Sequence, residues 1–222
     1  MNWIAIAAAA AGLALLGRKK GTPDVPDMPT DIQRPGQGTP QLALISGDPK
    51  DPEIAALLIE FDDYLASNGA GKYTCAEEFF GMPEAPKIDG RRPVAIAPRN
   101  LWPNAIPTLQ AFDDLRAQWG RPIPIRGYRP RDYNAAVGGA PRSIHQWAGA
   151  IDMKIRDQGY NASERQDFAI LAARYTLDNP SLQWGFGVYN DPPTTVHWDT
   201  GYQRRSWENG RKYLDLAKQG NA

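Results

Sequence analysis

Histidine is scarce in this chain, and both copies sit where they could hold a metal. The 222 residues contain only His145 and His197. His145 opens the run His145-Gln146-Trp147-Ala148-Gly149-Ala150-Ile151-Asp152, and His197 is central to Thr194-Thr195-Val196-His197-Trp198-Asp199. Two imidazoles and a carboxylate are a usual protein ligand set for catalytic zinc, with a fourth position left for water. Taken singly, each histidine reads equally as a hydrogen-bonded loop residue. Strand alternation favours the metal. In Ala150 to Ile155, Ile151, Met153 and Ile155 take one face and Asp152 with Lys154 the other. In Thr195 to Asp199, Val196 and Trp198 take one face and Thr195, His197 and Asp199 the other. If the two strands are neighbours, Asp152 and His197 project together, and His145 can fold over them from its Gly- and Ala-rich approach.

The rest of the chain must supply the scaffold. Charge is balanced at 25 basic against 25 acidic residues, with no basic stripe to suit a nucleic acid. Cys75 is the single cysteine, which excludes an internal disulfide and a cysteine-rich metal site. Its place at the start of a short amphipathic helix suggests a buried structural thiol. Trp3 to Gly17 is uncharged and rich in Ala, Ile and Leu, closed by Arg18-Lys19-Lys20. Fifteen helical residues cover roughly 22 Å against a ~30 Å hydrocarbon core, so Met1, Asn2 and snorkelling basic residues are needed to complete a span. A signal peptide would carry its charges before the apolar run. Residues 1–20 are therefore expected to be a membrane-anchor helix, and 21–50, with seven prolines from Pro23 on counting Pro52, a linker. One short strand is expected within it, Gln41 to Ser46.

Residues 51–222 read as one domain. Asp51-Pro52-Glu53 resembles a helix start, followed by Ile54, Leu57, Leu58, Phe61 and Leu65 at helical spacing until Asn68-Gly69. Further helices are expected over Pro107–Trp119, Ser163–Leu177 with Ser163 as cap, and Trp207–Ala217. Trp184–Tyr189 and Thr195–Asp199 should form a hairpin. With no βαβ rhythm, the expectation is an α+β domain with a small antiparallel sheet flanked by helices.

These motifs carry a resemblance. Ser143-x-His145-x-x-Ala148-x-Ala150-x-Asp152 is similar to the Ser-x-His-x-x-Gly-x-Ala-x-Asp signature of the zinc D-alanyl-D-alanine carboxypeptidase family, which shares its fold with the hedgehog signalling domain. Gly127-Tyr128-Arg129-x-Pro-x-x-Asn134, Gly138-Gly139-Ala140, Gly185-Phe186-Gly187-Val188-Tyr189 and Val196-His197-Trp198-Asp199-Thr200-Gly201 resemble further stretches of that family, in the same order. The likeness runs from about Tyr73 to Trp207. It implies a hedgehog/DD-peptidase-like fold, zinc held by His145, Asp152 and His197, and Arg129 binding a substrate carboxylate or steadying the oxyanion. A surface salt bridge is the plainer reading of Arg129. The same positions imply substrate contact by Arg129, Tyr128, Asn134, Ser143 and Trp147.

Two departures stand out. Ala148 replaces a glycine, which costs little if the backbone there avoids positive φ. Thr194 and Thr195 occupy the positions where relatives carry an acidic base or a second histidine. Asp199 is then the candidate base, or else a residue that orients His197; Asp191 is second. The implied activity is a zinc-dependent peptidase cutting D-amino-acid-containing bonds of peptidoglycan stem peptides, as D,D-carboxypeptidase or endopeptidase. The alternative is a non-catalytic, zinc-stabilised wall-binding or virion module. Arg18-Lys19-Lys20 would hold the domain inside a cell membrane, away from the wall. The anchor would therefore sit in the cell envelope with atypical topology or in a phage-particle membrane, with an exported soluble form as the other expectation.

Overall fold

The computed structural model describes residues 43–200 and 204–220. The expected anchor over 1–20 and most of the linker lie outside these residues. Among the described residues no helix is long and apolar enough to cross a membrane.

The fold is α+β. A two-stranded antiparallel sheet pairs β1 (Ile45–Gly47) with β2 (Val94–Ile96). Of the strand expected over Gln41–Ser46, residues 41–42 lie outside the described residues, and the strand seen runs from Ile45 to Gly47, paired into the folded domain. Helix α1 (Pro52–Ser67) starts as the residues dictate: the Asp51 carboxylate accepts from the amides of Glu53 at 2.9 Å and Ile54 at 3.4 Å, and Pro52 fills the first turn. Its buried side chains are Ile54, Leu57, Leu58, Phe61 and Leu65. Phe61 packs on Phe79 of α2 (Ala76–Phe79), Phe80 and Trp102, with ring centroids 4.5–5.5 Å apart. Cys75, before α2, is exposed, not buried; the helix it precedes turns Ala76 and Phe79 inward instead.

The second sheet has five strands in the order β3 (Ile125–Arg126), β4 (Ala150–Met153), β6 (Thr195–Asp199), β5 (Gly185–Tyr189), β7 (Arg205–Glu208). All neighbours are antiparallel except β5 and β7, which run parallel, so the sheet is mixed. The expected helix over Trp207–Ala217 is corrected accordingly. Arg205–Glu208 is strand, and helix α6 covers Gly210–Gln219. The reason is tertiary: β7 adds to the free edge of β5. β4 also ends earlier than expected, with Ile155 turning into a 3-10 segment.

Cross-strand rows give the sheet two unlike faces. Ile151, Trp198 and Phe186 form one apolar row, and Met153, Val196 and Val188 the next. Helices α3 (Ala105–Trp119) and α5 (Ala162–Asp178) contact this sheet, and the short α4 (Arg131–Ala136) lies between them in the chain. Trp198 is fully buried, packs at a tilt against Trp184 with ring centroids 4.7 Å apart, and donates from Nε1 to Thr176 on α5 at 3.0 Å. α3 begins two residues before the expected Pro107 and stops at Gly120, whose φ is +74°. α5 is capped by Asn161, not Ser163: Asn161 accepts from the Glu164 amide at 3.0 Å, and the Glu164 carboxylate accepts from the Asn161 amide at 2.8 Å.

Candidate metal centre

The other face of the sheet builds the site. Asp152 on β4 stands directly across from His197 on β6, and His197 across from Gly187 on β5, which pairs in turn with Trp207 on β7. The adjacent row runs Ala150, Asp199, Gly185, Arg205. Both glycines are space. A Cβ at Gly187 would come within 2.6 Å of the Trp207 indole, and one at Gly185 would strike the Asp199 carboxylate.

His145 arrives from outside the sheet, on a 3-10 turn (Ile144–Trp147). The Arg129 amide donates to the His145 carbonyl at 3.0 Å, and His145 Nδ1 lies 2.6 Å from the Gly127 carbonyl oxygen. That oxygen only accepts, so Nδ1 carries the proton and Nε2 presents a lone pair. The carbonyl can come this close because Gly127 has no side chain; a Cβ there would strike the Phe79 ring.

One ligand atom from each of His145, Asp152 and His197 lies within 4.8 Å of the others, and all three residues are buried. His145 Nε2 is 3.2 Å from His197 Nδ1, which is 2.8 Å from Asp152 Oδ1. Behind His197, Nε2 lies 3.0 Å from Asp199 Oδ2, and the same oxygen accepts from Arg205 Nη2 at 2.8 Å. Asp199 thereby fixes a proton on Nε2 and leaves Nδ1 for a cation. Burial drives the His145 pKa down to about 4, helped by the Arg129 charge. Burial alone would raise Asp152, but the neighbouring His145, His197 and Arg129 outweigh it and hold its carboxyl well below the usual range. For His197 burial opposes protonation, yet the Asp152 and Asp199 carboxylates win and raise its pKa. An ionised carboxylate with two directed imidazole nitrogens fits zinc. Arg129 confirms the acceptor character of this set. Its guanidinium hydrogen-bonds the Asp152 carboxylate and places Nη2 3.0 Å from His145 Nε2, so it is no surface salt bridge.

Residues 87–175 match the family described as Peptidase M15. Over this stretch the chain is similar to M15 peptidases. Theirs is the family of the zinc D-alanyl-D-alanine carboxypeptidases that the motifs resemble. The match includes Arg129, His145 and Asp152 and ends before His197 and Asp199, which the sheet register brings in. No curated protein matches the chain.

The remaining site expectations divide. Ser143 and Arg129 line the cleft above the cluster. Tyr128, Asn134 and Trp147 are only 1–2% exposed, so their side chains support the walls. Trp147 lies in the apolar core, with its carbonyl accepting from Asn104 at 2.9 Å. Asn134 donates to the Ala140 carbonyl at 3.0 Å and so shapes the Gly138-Gly139-Ala140 rim. Tyr128 reaches only an adjoining smaller cavity. Asp191 pairs with Lys212 and with Tyr213 at the far end of the β5–β6 hairpin and does not line the cleft. Ala148 adopts φ +57°, the left-handed region, so its departure from glycine does carry strain. Arg205, Trp207 and Tyr189 line the cleft but were not singled out from the sequence. The glycine pair Gly185-x-Gly187 was the available signal, since glycines in a strand mark close approach by another group.

Proposed function

We propose that the chain is a zinc peptidase that cuts internal, D-amino-acid-containing bonds of peptidoglycan stem peptides. The observation that carries this reading is the His145, Asp152 and His197 cluster lining an open cleft of about 730 Å³, together with the M15 match. A zinc ion held by these three would supply Lewis acidity, lowering the pKa of a water to about 7 and polarising the scissile carbonyl. The chain's own groups do the rest. Gly127 and Asp199 orient the two imidazoles, and Arg129 offers fixed donors where negative charge develops. The cleft is rich in cations: Arg129, Arg142, Lys154 and Arg205 line it against Asp152 and Asp199, whose carboxylates are already engaged. That excess suits a peptide bearing carboxylates. An endopeptidase is favoured over a carboxypeptidase because the cleft adjoins a second cavity of about 210 Å³. The two share Arg129, Val137, Asp152 and Lys154, leaving room for chain on both sides of the bond. The apolar N-terminal segment and proline-rich stretch would tether this domain to an envelope or virion membrane.

One observation favours the non-catalytic reading. Among the described residues, the main cleft offers no carboxylate beyond Asp152 and Asp199, and Asp199 sits fully buried behind His197. Mass spectrometry of muropeptides, incubated with zinc-loaded protein with and without chelator, decides between them. Chelator-sensitive cleavage of an internal bond is expected, and is expected to vanish in His145→Ala together with stoichiometric zinc. Intact muropeptides beside full zinc occupancy would establish the binding module instead.

A further inference from the structure

The cleft wall formed by β5 and β7 carries a polar group with no role so far. Tyr189 ends β5 opposite Thr195 of β6 and lines the cleft with Arg129, His145, Asp152 and His197. Its hydroxyl oxygen accepts a hydrogen bond from Trp207 Nε1 at 3.1 Å. An indole N–H can only donate, so this contact occupies the oxygen and leaves the tyrosine's own O–H to donate elsewhere. Trp207 is itself fixed on two sides. It lies over Gly187, and its ring meets the His197 imidazole edge-on with centroids 4.8 Å apart. The tyrosine oxygen is thereby held by the residue that also braces one member of the cluster. Burial raises the Tyr189 pKa, and the charges of Asp152 and Arg129 both act on the hydroxyl, the first raising and the second lowering it. The phenol therefore stays protonated in neutral solution and is a donor. Arg129, another donor of the cleft, directs its Nη2 at Asp152 and His145.

We propose that the Tyr189 hydroxyl donates a hydrogen bond to the scissile carbonyl oxygen as negative charge develops there, and that Trp207 positions it. No proton changes hands. The proposal rests on the peptidase reading above. A donor of this kind tightens in the transition state more than in the bound substrate, so its removal lowers kcat and leaves KM.

The test uses full-length zinc-loaded protein. Tyr189→Phe removes one oxygen and should cut kcat by roughly 10²–10³-fold, with KM and zinc content unchanged. Calorimetry gives the readout independent of turnover. A phosphinate analogue of the cleaved bond should bind Tyr189→Phe more weakly by a similar factor, while an uncleavable N-methylated peptide binds both forms alike. Trp207→Phe, which keeps a ring beside His197 but loses the N–H, should show a smaller fall in kcat of the same kind. Wild-type kcat and wild-type phosphinate affinity in Tyr189→Phe would overturn the assignment and leave the peptidase reading intact. A loss of zinc in Tyr189→Phe would show a structural role and also overturn it. Wild-type protein that holds zinc yet neither cleaves muropeptides nor binds the phosphinate would overturn the peptidase reading, and this proposal with it.

Discussion

The two faces of the five-stranded sheet are built from the same strands and hold together differently. On one face, Ile151, Trp198 and Phe186 meet Met153, Val196 and Val188 under helices. Dispersion and burial stabilise that face without direction, and any shape that fills the space suffices. On the other, Asp152, His197, Asp199 and Arg205 are linked atom to atom at 2.8–3.0 Å. Each group there needs a partner at a particular nitrogen or oxygen, because a buried charge without one is costly. The apolar face sets whether the chain folds. The polar face sets what the folded chain can hold.

Substitutions on each face should separate these roles. Trp198→Ala removes the largest buried side chain of these apolar rows and should cost about 3–5 kcal/mol, read by denaturant unfolding with the slope unchanged. A loss under ~1 kcal/mol would mean that the helices do not depend on this face. Asp199→Asn replaces a carboxylate of almost the same shape behind His197. It should keep the fold and weaken zinc binding roughly 10–100-fold, measured by competition with a chromophoric chelator. Undiminished affinity with abolished turnover would return Asp199 to the role of base. The smallest effect is expected at Ala148→Gly, between the 3-10 turn carrying His145 and strand β4. Ala148 holds φ +57°, a conformation that costs an L-residue about 1–2 kcal/mol, whereas glycine adopts it freely. The variant should unfold at higher denaturant concentration by about 1 kcal/mol or slightly less, since glycine also loses more entropy on folding. A destabilised Ala148→Gly would show that the methyl group packs favourably enough to offset the strain.

Much of this molecule was legible without coordinates. The five apolar positions of α1 and its Asp51-Pro52 start follow from local hydrogen bonding and a 3.6-residue period. The hairpin strands β5 and β6 follow from alternation and an intervening turn. The period of two also placed Asp152 and His197 on polar faces before anything paired them. Such features are decided by neighbours in the chain, so the sequence states them directly. The pairing of β4 with β6, which sets Asp152 opposite His197, joins residues 45 positions apart, and only the sheet could fix it. The same holds for β7. Arg205–Glu208 has no local reason to be strand rather than the start of α6. It becomes one because β5 leaves an edge to pair with and Gly187 leaves a space that the Trp207 indole fills. The strain at Ala148 was equally hidden, because φ there is imposed by the turn that carries His145 to the sheet. Sequence determined which groups could do chemistry; long-range pairing decided which of them meet, because a backbone edge and a cavity exist only once the chain has folded.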